Sequence, residues 1–273
     1  MPELPEVETI KRDLEQSILG KKIHDVIVYD SLVVNGPPKQ FINHLKGKII
    51  KSVSRRSKAL IIHFETEEYL VVHLKMTGQL ILGDNLRETQ KLKDTKVVFH
   101  LSDGTCINYN DQRRFGLLSF VKSLDTIGYF QNLGPEPLTG DFNADWLKEN
   151  LKKRNSPIKP LLMNQQFVSG IGNIYASEIL FEAGINPKKQ AGRLKDKDIK
   201  SLYSATRKVL QEAIELRGSS MRNYRDASGQ KGDFINRINV YAREGEDCPS
   251  CAKPINKIVQ AGRSTFYCKK CQK

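Results

Sequence analysis

Apolar and polar positions change rhythm twice along this chain. Leu4, Val7, Leu14 and Ile18 recur at spacings that fit one helical face, and Gly20 follows as a stop, so the first element predicted is a helix. From Lys22 the period drops to two and β-branched residues dominate. Short strands are expected at 23–28, 49–53, 59–64, 69–74, 97–101, 107–109 and 117–121, with a second helix at 39–45. Ser102, Asp103, Gly104 and Thr105 give a hairpin turn between two of them. Many short strands bounded by turn residues point to a β-sandwich. Pro135, Pro137, Gly134 and Gly140 crowd 132–141, which marks a linker, and beyond it the 3.6-residue period returns. Asn143 or Asp145 can cap a helix running toward Arg154. Asp196 or Asp198 opens the longest helix, in which Ile199, Leu202, Tyr203, Thr206, Val209, Leu210, Ala213 and Ile214 share a face and which Gly218 ends. The segment 218–232 is polar, contains glycines and has no period, and it reads as a mobile loop.

Length and charge narrow the class. At 273 residues the chain can build about two domains with separate cores. Lys and Arg number 44 against 31 acids, a net +13 that points to a polyanionic partner. No run of 18 apolar residues occurs, and Glu3, Glu6 and Glu8 stand where a signal peptide would be basic and then apolar. A soluble intracellular protein without a membrane partner is expected. Cys248, Cys251, Cys268 and Cys271 form two Cys-x-x-Cys pairs sixteen residues apart. Thiolates at this spacing can surround a tetrahedral zinc ion, whose binding would fold a segment too small to hold itself. Two disulfides are the alternative, and a reducing compartment makes them the poorer one. Ile255, Ile258 and Val259 on one arm and Phe266 and Tyr267 on the other suggest a β-hairpin finger with its tip at 260–265, which aims Arg263 outward. Cys106 is left without a role, and His24, His44, His63, His73 and His100 have no ligand spacing and read as structural.

Elsewhere the residues alone leave two readings each. Pro2 suits the first turn of a helix, where a missing N–H costs little. Once Met1 is removed, as expected when a small residue follows it, Pro2 is also a secondary amine. A terminal amine titrates near ~8 and a lysine near ~10.4, so at neutral pH Pro2 offers far more of the nucleophilic form. It could attack a sugar carbon and form an iminium ion, with Glu3 beside it to move protons. Arg55, Arg56, Ser57 and Lys58 lie between two strands, where they fit a phosphate contact or an exposed basic turn equally well. The loops at 73–78 and 110–116 carry Met76, Arg113 and Phe115, which suit the filling of a vacated base stack as well as ordinary loop anchoring. Ser169, Gly170, Ile171, Gly172 and Asn173 feed a helix N-terminus that can meet an anion or be a simple tight turn. It is no dinucleotide fingerprint, because Tyr175 stands where the third glycine would be. Lys152, Lys153 and Arg154 read as a solvated basic face.

Residues 2–10, Pro-Glu-Leu-Pro-Glu-Val-Glu-Thr-Ile, resemble the opening of the formamidopyrimidine-DNA glycosylases, bacterial repair enzymes that excise oxidised purines. The resemblance spans essentially the whole chain and is strongest at 2–9, 113–116, 170–178 and 262–272. It implies an α+β protein: a catalytic β-sandwich domain at 1–131 flanked by helices, a linker at 132–141, a helical helix-two-turns-helix domain with a lesion loop at 142–238, and a zinc finger at 239–273. It further implies a bifunctional glycosylase and AP lyase in base-excision repair, acting as a monomer on damaged double-stranded DNA in the bacterial cytosol. On 8-oxoguanine and formamidopyrimidines it would work through a Schiff base on Pro2 followed by β,δ-elimination, with one structural zinc on the four cysteines. By the same resemblance Pro2, Glu3, Lys58 and Arg263 are catalytic. Met76, Arg113 and Phe115 fill the void, Arg114 and Asn173 meet phosphates, and Arg154 falls at a DNA-contacting position.

The sequence also departs from the family pattern. Lys93, Asp94, Thr95 and Lys96 replace a His-x-His pair, and Gln112 replaces a residue that is often proline. Ala242 and Ala252 stand where glycine is usual, and a left-handed Ala252 would cost about 1–2 kcal/mol. A zinc-finger DNA-binding protein without catalysis and an RNA-binding protein are the two other classes compatible with the charge.

Overall fold

A computed structural model describes residues 1–83, 94–220 and 224–273. Expectations that fall on Lys93, or on 221–223 of the polar loop, lie outside the described residues. The chain divides into two compact units, Met1–Gln131 with Leu216–Ile235, and Asn132–Glu215 with Asn236–Lys273. The polar segment expected to belong to the helical domain is thus counted with the first unit.

In the first unit, α1 (Leu4–Ile18) buries Leu4, Val7, Ile10, Leu14 and Ile18 on one face, and Gly20 at φ 74° turns the chain out of it. Among the described residues eight strands follow: β1 (Ile23–Val28), β2 (Ile50–Arg56), β3 (Ala59–Phe64), β4 (Tyr69–His73), β5 (Gly78–Gly83), β6 (Thr95–Leu101), β7 (Cys106–Asp111) and β8 (Leu117–Val121). They pair antiparallel as two four-stranded sheets, in the orders β1-β6-β7-β5 and β2-β3-β4-β8. One core joins Val7, Ile10 and Leu14 to Leu60, Ile62, Val72, Phe99, Tyr109 and Leu118. Each such side chain contributes roughly 1.5–3 kcal/mol on leaving water. Helix α2 (Pro38–Leu45) adds Phe41 and Leu45 to that core.

The strands depart from expectation chiefly at β2, β5 and β7: β2 runs to Arg56, past the expected 49–53, so Arg55 and Arg56 lie on the strand and only Ser57 and Lys58 form the turn. β5 was not foreseen, because glycines bound it at both ends and only Leu80 of its apolar residues is deeply buried. β7 extends past the expected 107–109 because Asn108, Asn110 and Asp111 are buried polar residues, which break the apolar signal. Short α3 (Gly128–Gln131) closes the segment.

The second unit carries α4 (Ala144–Leu151), capped by the Asn143 side chain, then α5 (Ile158–Leu162), α6 (Asn173–Glu182) and α7 (Asp196–Glu215). α6 packs against α7, which buries Ile199, Leu202, Ala205, Val209, Leu210 and Ala213. The helix ends before Gly218: Arg217 already adopts φ 60°, and Gly218 continues the reversal at φ 80°. β9 (Asn256–Gln260) and β10 (Arg263–Tyr267) form the finger hairpin. Gln260 pairs with Arg263, so the tip is the two-residue turn Ala261–Gly262, at φ 47° and 70°, and not the longer 260–265 tip expected. The architecture is α+β, a helix-flanked β-sandwich with a helical unit and a β-hairpin finger. Among the described residues no helix is long and apolar enough to cross a membrane.

Candidate functional site

The start of α1 is fixed by its own sequence. Pro2 and Glu3 are buried, whereas Met1 is 48% exposed. Glu6, three residues after Glu3, turns its carboxylate back so that Oε2 accepts the Glu3 N–H at 2.8 Å, which satisfies a donor that a helix start leaves without a partner. Its other oxygen accepts the Ser219 N–H at 2.7 Å. Glu6 therefore fastens the helix start to the 216–235 segment. Its spacing from Glu3 was a readable capping signal; its second partner, over two hundred residues away, was not.

Lys58 is 4% exposed, so the exposed-turn reading does not hold for it. Ser57 at φ 55° and Lys58 make the two-residue turn between β2 and β3. The Tyr129 hydroxyl donates to Ser57 Oγ at 2.9 Å, and Arg55 Nε donates to Glu8 Oε2 at 3.0 Å, so the turn is tied both to α3 and to the second turn of α1. Beside it His73 accepts the Lys75 N–H on Nδ1 at 3.1 Å, which leaves the ring proton on Nε2. Burial, reinforced by the Lys75 and Lys58 cations, pulls its pKa down to about 3.

The loops bearing Met76 and Arg113–Phe115 are brought together by Asp111, a fully buried carboxylate at the end of β7. Its Oδ1 accepts from the Thr77 hydroxyl and from the Arg113 N–H at 3.2 Å. Its Oδ2 accepts the Gly116 N–H at 2.8 Å and the Tyr109 hydroxyl at 3.2 Å. Gly116 is obligatory, because a Cβ there would lie 1.7 Å from the Tyr109 hydroxyl. With the loops held so, Met76 and Phe115 project at 37% and 54% exposure, and the Arg113 guanidinium stacks 4.5 Å from the Phe115 ring centre. Arg114, at φ 57°, stands 3.7 Å from the Asp30 carboxylate. Asp94 also adopts a left-handed φ, 75°, and its carbonyl accepts the Asp111 N–H at 3.0 Å. Asp111 escaped the sequence reading because nothing in its local pattern announces a buried acid.

In the second unit Asn173 opens α6, but its side chain is engaged within the protein. Asn173 Nδ2 donates to the Ser264 carbonyl at 3.0 Å, and Oδ1 accepts from Lys159 Nζ. Lys159 is 1% exposed, and the same ammonium reaches Thr265 Oγ1 at 2.9 Å and Ser264 O at 3.2 Å. Acceptor contacts to Asn173, Thr265 and Ser264 offset the cost of burying a charge. Lys159 thus joins α5, α6 and the hairpin whose tip carries the exposed Arg263. Arg263, Lys159, Asn164 and Gln260 line a cavity of about 160 Å³. The Arg154 guanidinium lies 6.0 Å from the Phe167 ring centre. Glu178, 1% exposed, accepts the N–H groups of Asn239, Val240 and Tyr241 at 2.8–3.0 Å and so holds the chain that enters the finger. Burial raises its pKa against those hydrogen bonds. Neither Lys159 nor Glu178 was distinguishable in sequence from a surface charge.

The four finger cysteines are free thiols whose sulfurs lie within 4.8 Å of one another. Cys248 and Cys271 are 3.8 Å apart and Cys251 and Cys268 3.5 Å, far beyond a disulfide bond of ~2.05 Å. Sulfurs bound tetrahedrally at ~2.3 Å would stand about 3.8 Å apart, so the set fits one zinc ion. Without metal, burial pushes the Cys271 thiol up to about 12, while the Lys253 N–H draws Cys251 down to about 7. Ala252 adopts φ 55° and Ala242 φ 61°, the strained conformation expected of alanine at these turns. Gln272 docks the finger: it accepts the Cys268 N–H at 2.8 Å and donates to the Ile185 carbonyl at 3.0 Å.

Comparison with known proteins covers nearly all of this chain. Residues 1–118 match the formamidopyrimidine-DNA glycosylase N-terminal domain, 133–225 its H2TH domain, and 245–273 the zinc finger found in FPG and IleRS. The formamidopyrimidine-DNA glycosylase of Carboxydothermus hydrogenoformans is 42% identical over 274 residues, with both chains fully covered. That of Desulforamulus reducens is 41% identical over 277 residues, covering 100% of this chain and 99% of its own. Among solved structures, the MutM (FPG) protein of Thermus thermophilus matches with a TM-score of 0.89 at 38% identity, over 99% of this chain and 98% of that one. Lactococcus lactis Fpg in complex with an abasic site containing DNA matches with a TM-score of 0.92 at 37% identity, over 99% of each chain.

Proposed function

The chain belongs to the formamidopyrimidine-DNA glycosylase family, and from that membership we propose a bifunctional repair enzyme that removes oxidised purines from duplex DNA and then cuts the strand. The substrates are 8-oxoguanine and formamidopyrimidines, and the protein acts as a monomer in the bacterial cytosol. The observation that carries the reading is the approach to α1, where Pro2 is buried just ahead of the helix and the next N–H, that of Glu3, is pinned by Glu6, while Met1 is 48% exposed. Removal of Met1 would leave a secondary amine held on a rigid element, the placement that proximity catalysis asks for. Near neutral pH such an amine is neutral roughly 200–300 times more often than a lysine.

In this mechanism the Pro2 nitrogen attacks C1′, the bond from C1′ to the base breaks, and Glu3 moves the proton that the departing base or the opening sugar requires. The nitrogen loses its proton and the ring-opened sugar is left as an iminium ion on Pro2. Loss of a C2′ proton expels the 3′ phosphate, and a second elimination expels the 5′ phosphate. Lys58 and Arg263 contact the phosphates at the lesion, Lys58 assisting proton transfer and Arg263 the last elimination. Met76, Arg113 and Phe115 fill the stack that the flipped base vacates, and their exposure on loops held by Asp111 supports that assignment. Arg114, Arg154 and Asn173 take backbone phosphates; for Asn173 this means sharing a side chain already bonded to Lys159 and Ser264. The zinc supplies folding of the finger and no chemistry.

The test is cleavage of a duplex carrying 8-oxoguanine opposite cytosine by purified protein without added cofactor. Wild-type protein should release the base and nick the strand, and Pro2→Gly should lose both. Undiminished excision and nicking by Pro2→Gly would refute the mechanism.

A further inference from the structure

The reversal at the end of α7 puts a long charged residue where glycine is favoured. Arg217 adopts φ 60°, a left-handed conformation that costs a non-glycine residue energy and persists where surrounding contacts over-determine it. Those contacts are ionic. Arg217 Nε and Nη2 donate to Asp226 Oδ2 at 2.8 and 2.6 Å, and Nη2 also donates to Asp13 Oδ2 at 2.7 Å. Asp226 is 1% exposed, and its Oδ1 accepts the Ser228 and Gln230 N–H groups at 3.0 and 2.8 Å. Asp13 lies on α1, and its Oδ2 also accepts the Ala227 N–H at 3.2 Å. One guanidinium therefore ties residues 217 and 226 to each other and to α1, the helix that follows Pro2 and Glu3.

What the clamp holds is close to that beginning. Ser219 donates its N–H to Glu6 Oε1, and Glu6 Oε2 takes the Glu3 N–H, so a single carboxylate separates Ser219 from the residue next to Pro2. A Cβ on Gly218 would lie 2.9 Å from Glu6 Oε1, which leaves the chain no slack there. The Tyr224 hydroxyl donates to the Glu6 carbonyl at 3.4 Å. The Ser219 hydroxyl is buried and has no hydrogen-bond partner among the described residues.

We propose that Arg217 is a positioning residue: by joining Asp13 and Asp226 it holds Ser219 and Tyr224 against the Pro2 end of α1, and thereby sets the rate of base excision. The inference rests on the proposed glycosylase reading and deepens it. Without the guanidinium, two carboxylates aimed at one nitrogen would repel, and residue 226 would be pushed off α1. The Ser219 hydroxyl, open among the described residues, can bond a base held beside Pro2 and has nothing to bond once the base has gone, so the effect should fall on excision and spare strand cleavage at a sugar that has already lost its base.

The test compares single-turnover rates of the full chain on two duplexes, one with 8-oxoguanine and one with a preformed abasic site. Arg217→Gln should slow excision about tenfold, the scale of one charge-assisted hydrogen bond, and leave abasic-site cleavage within about twofold. Arg217→Gly relieves the backbone strain, so it should melt no lower than Arg217→Gln and yet excise as slowly. Adding Asp13→Asn to Arg217→Gln removes the repulsion and should recover part of the rate. Excision at the wild-type rate in both single variants, equal slowing of both reactions, or no recovery in the double variant would overturn this proposal alone. A wild-type protein inactive on both duplexes would overturn the functional reading and the proposal with it.

Discussion

Asp111→Asn is the perturbation that best probes how the two projecting loops are held. The carboxylate is fully buried and accepts four donors: the Thr77 and Tyr109 hydroxyls and the Arg113 and Gly116 N–H groups. Asparagine keeps the shape but replaces one acceptor oxygen with an NH2 group. If the oxygen stays with Thr77 and Arg113, the NH2 meets Tyr109, whose hydroxyl can rotate to accept, and Gly116, whose N–H cannot. The opposite flip leaves the Arg113 N–H with the Thr77 hydroxyl oxygen alone, 3.1 Å away. Either way one N–H bond to residue 111 is lost and the remaining bonds lose their charge, a combined cost of about 2–4 kcal/mol. For a protein of this size that lowers the melting temperature by roughly 5–12 °C. Scanning calorimetry at pH 7 reads the shift, and strand cleavage on lesion duplex should fall with it as Met76 and Phe115 lose their fixed places. A variant that melts within a degree of wild type would refute the view that Asp111 organises these loops.

The His73 ring makes stability depend on pH. Its pKa is about 3 in the fold and near ~6.5 unfolded, so the unfolded chain binds the extra proton between these values. The stabilisation is complete above ~6.5 and is lost as pH falls toward 3. Between pH 6.5 and 4.5 it should amount to about 2–3 kcal/mol relative to His73→Gln, read by urea unfolding at several pH values, and identical slopes for the two proteins would contradict it. Removal of zinc by a chelator should expose the backbone of β9 and β10, since metal binding contributes on the order of 10 kcal/mol to fingers of this kind. Hydrogen exchange would register the loss of protection, and a finger that stays protected after metal-free mass is verified would show that Gln272 and the hairpin suffice.

Much of the fold was legible because its signals are local. The apolar face of α1, the seven alternating strands and the long face of α7 follow from spacing alone. β5 and the ends of β7 were hidden because Gly78, Gly83, Asn108, Asn110 and Asp111 break the hydrophobic alternation on which strand recognition depends. The zinc ligands could be read without any relative, as their spacing encodes their geometry. The residues that organise the rest of the candidate site, Glu6, Asp111, Lys159 and Glu178, are single buried charges. A buried charge is defined by distant partners: Ser219 for Glu6, Thr265 for Lys159, Val240 for Glu178. No window of sequence contains both halves of such a pair. Arg217 was likewise invisible, since Gly218 beside it supplied the obvious stop signal and the strain falls one residue earlier.

In the proposed mechanism the nitrogen of Pro2 becomes covalently joined to the damaged sugar. Borohydride reduction during turnover of an 8-oxoguanine duplex, followed by proteolysis and tandem mass spectrometry, locates that bond directly. Attack by Pro2 requires a protein without Met1 and leaves a deoxyribose remnant on the nitrogen of Pro2 in the peptide that runs to Lys11. An adduct on a lysine, or efficient nicking by protein that retains Met1, would contradict it.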